Sequence, residues 1–337
     1  MQTLADTPGL HHVTGIVGDA QDAVDFYVGV LGLRPIALTV NFEDILQHHL
    51  YFGDANGTPG TVITCFPDPH GDPGRVGPPQ PESVAFLVPD GSLAYWRNRL
   101  DGFDVKFEYH ERFDERVLRF EDPAGTRLEL VAESTDAAGP NDEDVLEPQS
   151  ADSGPVPESA TIRGLHGVAT LSVNPYATAS MLETLGFEHE AEDGDRVRYR
   201  ASGSRATVID VLDCEASFGR EGVGTLHHVA VRAESEDALF EWRELFDERG
   251  YDVSRVKDRH VFHSLYVREP GGILFELATD PTRSIAATAM ADVDWTSDRE
   301  LPLYLPDWFE DDRDLIESQL PALELPSTAT ENADGEP

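Results

Sequence analysis

The chain has 337 residues, with 64 acidic against 25 basic side chains and a formal net charge of −39. A field of that sign repels nucleic acid and anionic membrane, so neither is expected as a partner. Hydrophobic residues still make up 40% of the chain, which argues against a polypeptide kept unfolded by its charge, and the length suits about two domains.

Taken in chain order, the elements repeat. Leu10-His11-His12-Val13-Thr14 opens an apolar strand. A helix is predicted from Asp19 to Leu31, with Ala23, Phe26, Tyr27 and Val30 on one face, Asp19 as its cap and Gly32 after its end. Strand-like runs follow at Tyr51-Phe52 and Thr61-Val62-Ile63-Thr64. Ser83 to Phe86 then leads into a helix from Ser92 to Leu100, a Gly102-Phe103-Asp104-Val105 run, and Asp122-Pro123-Ala124-Gly125 before Glu129. Leu165-His166-Gly167-Val168-Ala169 restarts the first pattern, with a helix at Ala179 to Leu185 and a closing Thr207-Val208-Ile209-Asp210. His228 to Val231 restarts the second, with a helix at Glu236 to Glu248, then Gly250-Tyr251-Asp252-Val253 and Glu269-Pro270-Gly271-Gly272 before Glu276. We read four modules, near 9–67, 81–133, 163–214 and 225–280, because self-similarity at a fixed period marks a repeat architecture.

The expected organisation is therefore a first pair of modules in 1–133 and a second pair in 161–281. The stretch 134–160 is rich in Asp, Glu, Pro and Ser and reads as a linker. Residues 282–326 carry enough apolar surface to dock on the body, and 327–337 read as a disordered polar tail. The start of the chain lacks the basic and apolar regions of a secretory signal. No apolar run approaches the ~20 residues of a membrane span. Cys65 and Cys214 lie in or beside strand-like runs and read as buried thiols. Lys106 and Lys257 are the only lysines. An acidic, lysine-poor surface is expected of a protein in concentrated salt, where screening removes self-repulsion. A halophilic cytoplasm is the expected setting.

The repeat also isolates chemistry. Each first strand has one position just before a valine: His12, Ser83, Gly167 and His228. Acids stand on the closing strands at Glu129, Asp210 and Glu276, but not in Gly60–Pro67. If the first and fourth modules share a cavity, it holds His12, His228 and Glu276. The other two modules then offer only Ser83, Gly167, Glu129 and Asp210, too poor a set for a metal. Two neutral imidazoles and a carboxylate suit Fe(II) or Mn(II), and leave about three positions open for a small organic substrate and dioxygen. Side chains alternate along a strand, so His11 and His227 can reach the same cavity only where the strand bulges. They are candidates to orient a ligand or exchange a proton. Thr14 shares the face of His12. His48 and His49 fall outside this frame and read as strand or pocket lining.

At these residues the chain resembles the vicinal oxygen chelate superfamily of glyoxalases, bleomycin-resistance proteins and extradiol dioxygenases. Leu10 to Thr14, Thr39-Val40-Asn41-Phe42, His49-Leu50-Tyr51-Phe52-Gly53-Asp54, Pro59-Gly60-Thr61, Leu305-Pro306 with Trp308, and Ile316-Glu317 before Leu320-Pro321 resemble its glyoxalase-like hydroquinone-cleaving branch. The resemblance implies an α+β fold of four βαβββ modules pairing into open, cup-shaped barrels. It implies Fe(II) on His12, His228 and Glu276, and supporting roles for His11, Thr14, His227, Arg259 and Tyr266. The general extradiol pattern is met by Leu265-Tyr266, Glu269-Pro270, Gly272 and Glu276, except that Arg259 stands where a histidine is usual. An arginine there fits the hydroquinone branch, although the adjacent His260 could take the role if the alignment slips by one. The implied reaction is ring cleavage of a small aromatic diol with O2, by a protein that could be a homo-oligomer. A metal-dependent glyoxalase-type lyase or isomerase, and a non-catalytic binding protein of the same fold, are the rival expectations.

Overall fold

The computed structural model describes residues 4–133, 154–290 and 299–326. Most of the expected linker and the whole expected tail lie outside the described residues. The first module comprises β1 (Leu10–Val17), α1 (Ala20–Val24), β2 (Arg34–Asn41), β3 (Asp44–Gly53) and β4 (Val62–Pro67). The second comprises β5 (Gln80–Val88), α2 (Leu93–Gly102), β6 (Phe107–Arg112), β7 (Glu115–Glu121) and β8 (Arg127–Ala132). The third comprises β9 (Gly164–Leu171), α3 (Pro175–Thr184), β10 (Glu188–Asp193), β11 (Arg196–Arg200) and β12 (Val208–Leu212). The fourth has β13 (Thr225–Ala233), α4 (Glu236–Glu248), β14 (Asp252–Val253), β15 (Lys257–Asp258), β16 (His263–Arg268) and β17 (Leu274–Thr279).

The strands form two curled open sheets. One runs β14-β16-β17-β13-β1-β4-β3-β2, with β15 beside β16, and joins the first module to the fourth. The other runs β10-β11-β12-β9-β5-β8-β7-β6 and joins the third to the second. Antiparallel pairs β1–β13 and β5–β9 are the seams. Val13, Val84, Val168 and Val229 all lie in one hydrophobic cluster with the helix residues Trp96, Leu182 and Phe246. Because successive side chains point to opposite faces, the residue before each valine points into the open face of its sheet. This is the frame read from the sequence.

Local differences have local causes. The first helix winds as α1 only to Val24 and continues as a π-helical turn over Asp25–Val30. The wider turn accompanies burial of Phe26, Tyr27, Val30 and Leu31 together. The helix α3 begins at Pro175, ahead of the expected Ala179, because Asn174 caps the Ala177 N–H and proline suits a first turn. Cys65 is buried, but Cys214 is exposed, since β12 ends at Leu212 before reaching it. Beyond the modules, α5 (Ile285–Ala289) and α6 (Arg313–Gln319) belong to the C-terminal segment. Leu305 and Ile316 of that segment pack on Val40, and the Tyr304 N–H donates to Leu38 O at 2.8 Å. No described helix is long and apolar enough to cross a membrane.

The open face of the second sheet is filled by ion pairs. Arg198, 2% exposed, meets Asp210 through Nε at 2.9 Å and Nη2 at 3.1 Å, and Glu115 at 2.9 Å. Arg196 also reaches Asp210, at 3.0 Å, while Arg112 and Arg119 hold Glu129. Removing one member of such a network strands a buried charge. Asp210→Ala should therefore cost about 3–5 kcal/mol of stability, read as a lowered urea midpoint. Burial pushes the Glu115 carboxyl up, but His166 and Arg198 outweigh it and hold it at about 2. That lies below the ordinary value of about 4.3 of an unfolded glutamate, so the unfolded chain binds the extra proton. The stabilisation is complete above about pH 5 and fades as pH falls toward 2. Glu115→Gln should flatten this acid limb of a stability–pH profile.

Candidate metal centre

His12, His228 and Glu276 meet on the open face of the first sheet. One ligand atom from each lies within 4.8 Å of the others, and all three residues are buried. Register explains how three distant segments converge. β1 and β13 are adjacent and antiparallel, which sets Thr14 opposite His228. β17 lies parallel beside β13, which sets Glu276 opposite Ala230, two residues from His228 on the same face. Among the described residues this is the one His/Cys/Asp/Glu group with metal-ligand spacing.

Both histidine doublets sit at bulges. Along the β1–β13 ladder, Leu10 pairs with Val231 and His12 with Ala230, so His11 is the extra residue. Thr14 pairs with His228 and Gly15 with Leu226, so His227 is extra on the other strand. A bulge lets neighbouring side chains turn toward one side. His11 Nδ1 then meets His12 Nδ1 at 2.9 Å, and His227 Nδ1 meets His228 Nδ1 at 2.7 Å. With each Nδ1 tied to its neighbour, the Nε2 atoms are left to face the carboxylate. They stand 3.3 Å (His12) and 2.8 Å (His228) from Glu276 Oε2.

The carboxylate between them is anomalous. Neither oxygen of Glu276 accepts a hydrogen bond of acceptable direction, although both are buried. Proximity alone does not make these contacts hydrogen bonds, because the ring N–H directions do not point along them. Burial pushes the Glu276 carboxyl up, yet the charge and contacts of His12 and His228 outweigh it and hold it well below the usual range. Burial likewise lowers His228 to about 4. The centre thus offers one carboxylate and two imidazole nitrogens, a donor set that, with the rings deprotonated on binding, fits a divalent first-row cation.

The remaining sequence-predicted residues surround this point. Thr14 Oγ1 lies 2.9 Å from His228 Nε2 and 2.8 Å from Thr64 Oγ1. Burial and His12 lower His11 to about 3, and burial lowers His227 below its ordinary value. Arg259 donates through Nη2 to the Tyr266 hydroxyl at 3.2 Å, and Tyr266 is the ladder partner of Glu276. His260 does not take this place. Its backbone has a positive φ of 70°, and its ring packs on Tyr304 and Trp308. Arg259 also borders a cavity of about 380 Å3 with Phe42, Arg255, Lys257, Trp308 and Phe309. Thr64 and Tyr51, given no role from sequence, stand here as well, with His49, which reads from sequence as strand or pocket lining. Thr64 Oγ1 lies 3.0 Å from His49 Nε2, and His49 Nδ1 lies 3.1 Å from the Tyr51 hydroxyl. Aligning Tyr51 with Tyr266 across the repeat would have found Tyr51; Thr64 and His49 carry no such signal.

Comparison with known proteins agrees with this geometry. The family model described as Glyoxalase/Bleomycin resistance protein/Dioxygenase superfamily matches residues 9–130 and 88–277. The chain is 41% identical over 276 residues to MhqO of Bacillus subtilis (strain 168), a candidate ring-cleaving dioxygenase, covering 82% of this chain and 85% of that protein. It is 35% identical over 286 residues to the chlorohydroquinone/hydroquinone 1,2-dioxygenase of Sphingobium indicum, covering 82% and 86%. The crystal structure of a candidate dioxygenase from Bacillus subtilis subsp. subtilis str. 168 superposes with a TM-score of 0.83 at 38% identity, over 96% of this chain and 99% of that one. On these grounds the chain belongs to the glyoxalase/bleomycin resistance protein/dioxygenase superfamily.

Proposed function

We propose that this protein is an Fe(II)-dependent, extradiol-type ring-cleaving dioxygenase acting on a hydroquinone-like diol. The observation that carries the reading is the buried Glu276 carboxylate, bare of hydrogen-bond donors between two imidazole Nε2 atoms. The likeness to a chlorohydroquinone/hydroquinone 1,2-dioxygenase supports the substrate class. Iron(II) held by His12, His228 and Glu276 supplies Lewis acidity toward an aryl hydroxyl and one-electron exchange with dioxygen; Mn(II) suits the same donors.

The chain's own residues do the rest. His11 and His227 fix the tautomers of the ligands, since a ligand that offers Nε2 must carry its proton on Nδ1 and donate it to the neighbouring ring. The Arg259 guanidinium and Tyr266 hydroxyl orient the ionised substrate oxygen and stabilise charge that develops on it. His227 is the half-buried member of the pair, with Nε2 4.0 Å from Glu221, so it exchanges the substrate's proton toward solvent. Thr14 borders the ligand atom of His228. In the overall reaction one ring carbon–carbon bond beside a hydroxyl-bearing carbon breaks and both oxygen atoms enter the product. No external reductant is required.

We also read the setting as a salt-rich cytoplasm, from the acidic surface and scarcity of lysine.

Anaerobic loading with Fe(II), then oxygen-electrode measurement with hydroquinones and catechols, should show one O2 consumed per ring opened. Uptake with no aromatic diol removes the ring-cleavage reading, and turnover with Zn(II) but without oxygen identifies a lyase instead. Glu276→Gln keeps the side-chain shape and removes the charge. It should lower iron affinity by at least about 100-fold, measured by metal analysis after dialysis. Raising KCl from about 0.1 M to about 1 M shortens the screening length from about 10 Å to about 3 Å. The thermal midpoint should rise with it, and a flat or falling midpoint contradicts the high-salt reading.

A further inference from the structure

The open face of the first sheet carries a string of polar groups that the ligand triad does not use. It begins at Thr14 beside His228 Nε2 and passes through Thr64 and His49 to the Tyr51 hydroxyl, with links of 2.8, 3.0 and 3.1 Å. Thr14, Thr64 and Tyr51 stand in register across β1, β4 and β3. His49 lies two residues from Tyr51, on the same face. The phenol at the end therefore lies on the face that carries Thr14 and the centre, tied to it through His49 and Thr64.

The repeat gives this phenol a counterpart. Tyr51 is the ladder partner of Thr64, as Tyr266 is of Glu276. In the second sheet the same positions hold Arg119 and Arg198, partners of Glu129 and Asp210. There the arginines are consumed by the carboxylates beside them. Tyr51 has no such acid beside it. The two tyrosines flank the centre from β3 and β16, with β17, β13, β1 and β4 between those strands. Their supports differ in charge. Tyr266 is held by a guanidinium, which suits an ionised oxygen. Tyr51 is held by an imidazole that burial and the nearby His12 keep well below its ordinary pKa, hence neutral.

A 1,2-diol can present both oxygens to one cation. A 1,4-diol presents one, and its second hydroxyl lies across the ring, where it must meet protein or water. We propose that Tyr51, oriented by His49, is the contact for that second hydroxyl, so that the two tyrosines together select 1,4-diols. The proposal rests on the ring-cleavage reading above. Tyr51 is then a specificity-determining residue that touches substrate, and His49 is a positioning residue acting through it.

The test uses the full chain at equal iron content. Hydroquinone and 4-methylphenol, which lacks the second hydroxyl, are titrated anaerobically. Oxygen uptake is then measured with hydroquinone and catechol. The wild-type protein should bind hydroquinone roughly tenfold more tightly than 4-methylphenol, the discrimination of one hydrogen bond to a neutral group. Tyr51→Phe should erase that preference and leave 4-methylphenol binding unchanged. It should also lower kcat/KM for hydroquinone more than for catechol. His49→Gln should move the same ratio in the same direction by a smaller factor. Equal wild-type binding of the two ligands overturns the assignment even if neither variant folds, as does a Tyr51→Phe protein that keeps the wild-type preference or weakens both ligands alike. Absence of oxygen uptake by the wild-type protein with every diol overturns the ring-cleavage reading and this proposal with it. Uptake with an unchanged ratio overturns this proposal alone.

Discussion

The centre depends on one electrostatic constraint, a carboxylate buried where nothing donates to it. An ionised group removed from water without compensation is costly and ordinarily neutralises itself. Glu276 nonetheless lies well below its usual range through the charge and contacts of His12 and His228, and where those rings offer lone pairs instead, a cation has to supply that charge. Imidazoles offering lone pairs cannot also offer protons, so the arrangement is complete only around a cation. The residues behind the triad follow from the same constraint. Each ligand ring must hold its proton away from the centre, and His11 and His227 are placed to receive it.

Those placements are backbone features before they are side-chain ones. In the first sheet the extra residues of the seam are His11 and His227. In the second, Pro81 pairs with Thr170 and Ser83 with Ala169, leaving Glu82 extra, while Ala85 pairs with Gly167 and Phe86 with Leu165, leaving His166 extra. All four modules therefore bulge at one point, and the residue types there decide what the sheet holds. Imidazoles face a single carboxylate in the first sheet and form a candidate cation site. In the second, four acids, Glu82, Glu115, Glu129 and Asp210, are each met by arginine. Buried charge is balanced both times, by a bound ion in one reading and by the chain itself in the other.

Much of this was legible in the sequence because the repeat supplies an internal control. The residue before each valine could be compared across modules without knowing any structure, and two histidines stood out. The pairing of first with fourth module followed from asking which combination completes a ligand set. The polar string to Tyr51 was not legible in that way. His49 lies outside the module-start frame, and Thr64 reads as an ordinary strand former. Their links depend on how β1, β4 and β3 lie side by side, which is long-range register and not local pattern. The π-helical turn after Val24 was hidden for a different reason. Its apolar spacing is that of an ordinary amphipathic helix, and what distinguishes it is a wider hydrogen-bond step, such as the Leu31 N–H to Phe26 O bond, which local pattern does not show. Cys214 was misplaced because a strand end is among the least certain features of a sequence.

The overall charge bears on how a substrate reaches this centre. A chain of net charge −39 repels a phenolate at long range, so under the proposed reading a diol would approach most readily as the neutral species and lose its proton inside. Around Arg259 the balance differs. The adjoining cavity is bordered by Arg255 and Lys257, one of only two lysines in the chain, by the acids Glu43 and Asp258, and by the aromatic rings of Phe42, Trp308 and Phe309. Glu43 pairs with Lys257 at 2.7 Å and with Arg259 at 3.4 Å, which offsets part of that positive charge. Inward, Arg259 turns its Nη2 to Tyr266. In the proposed reading the Arg259 guanidinium is the positive group beside the centre, where an ionised oxygen would be held.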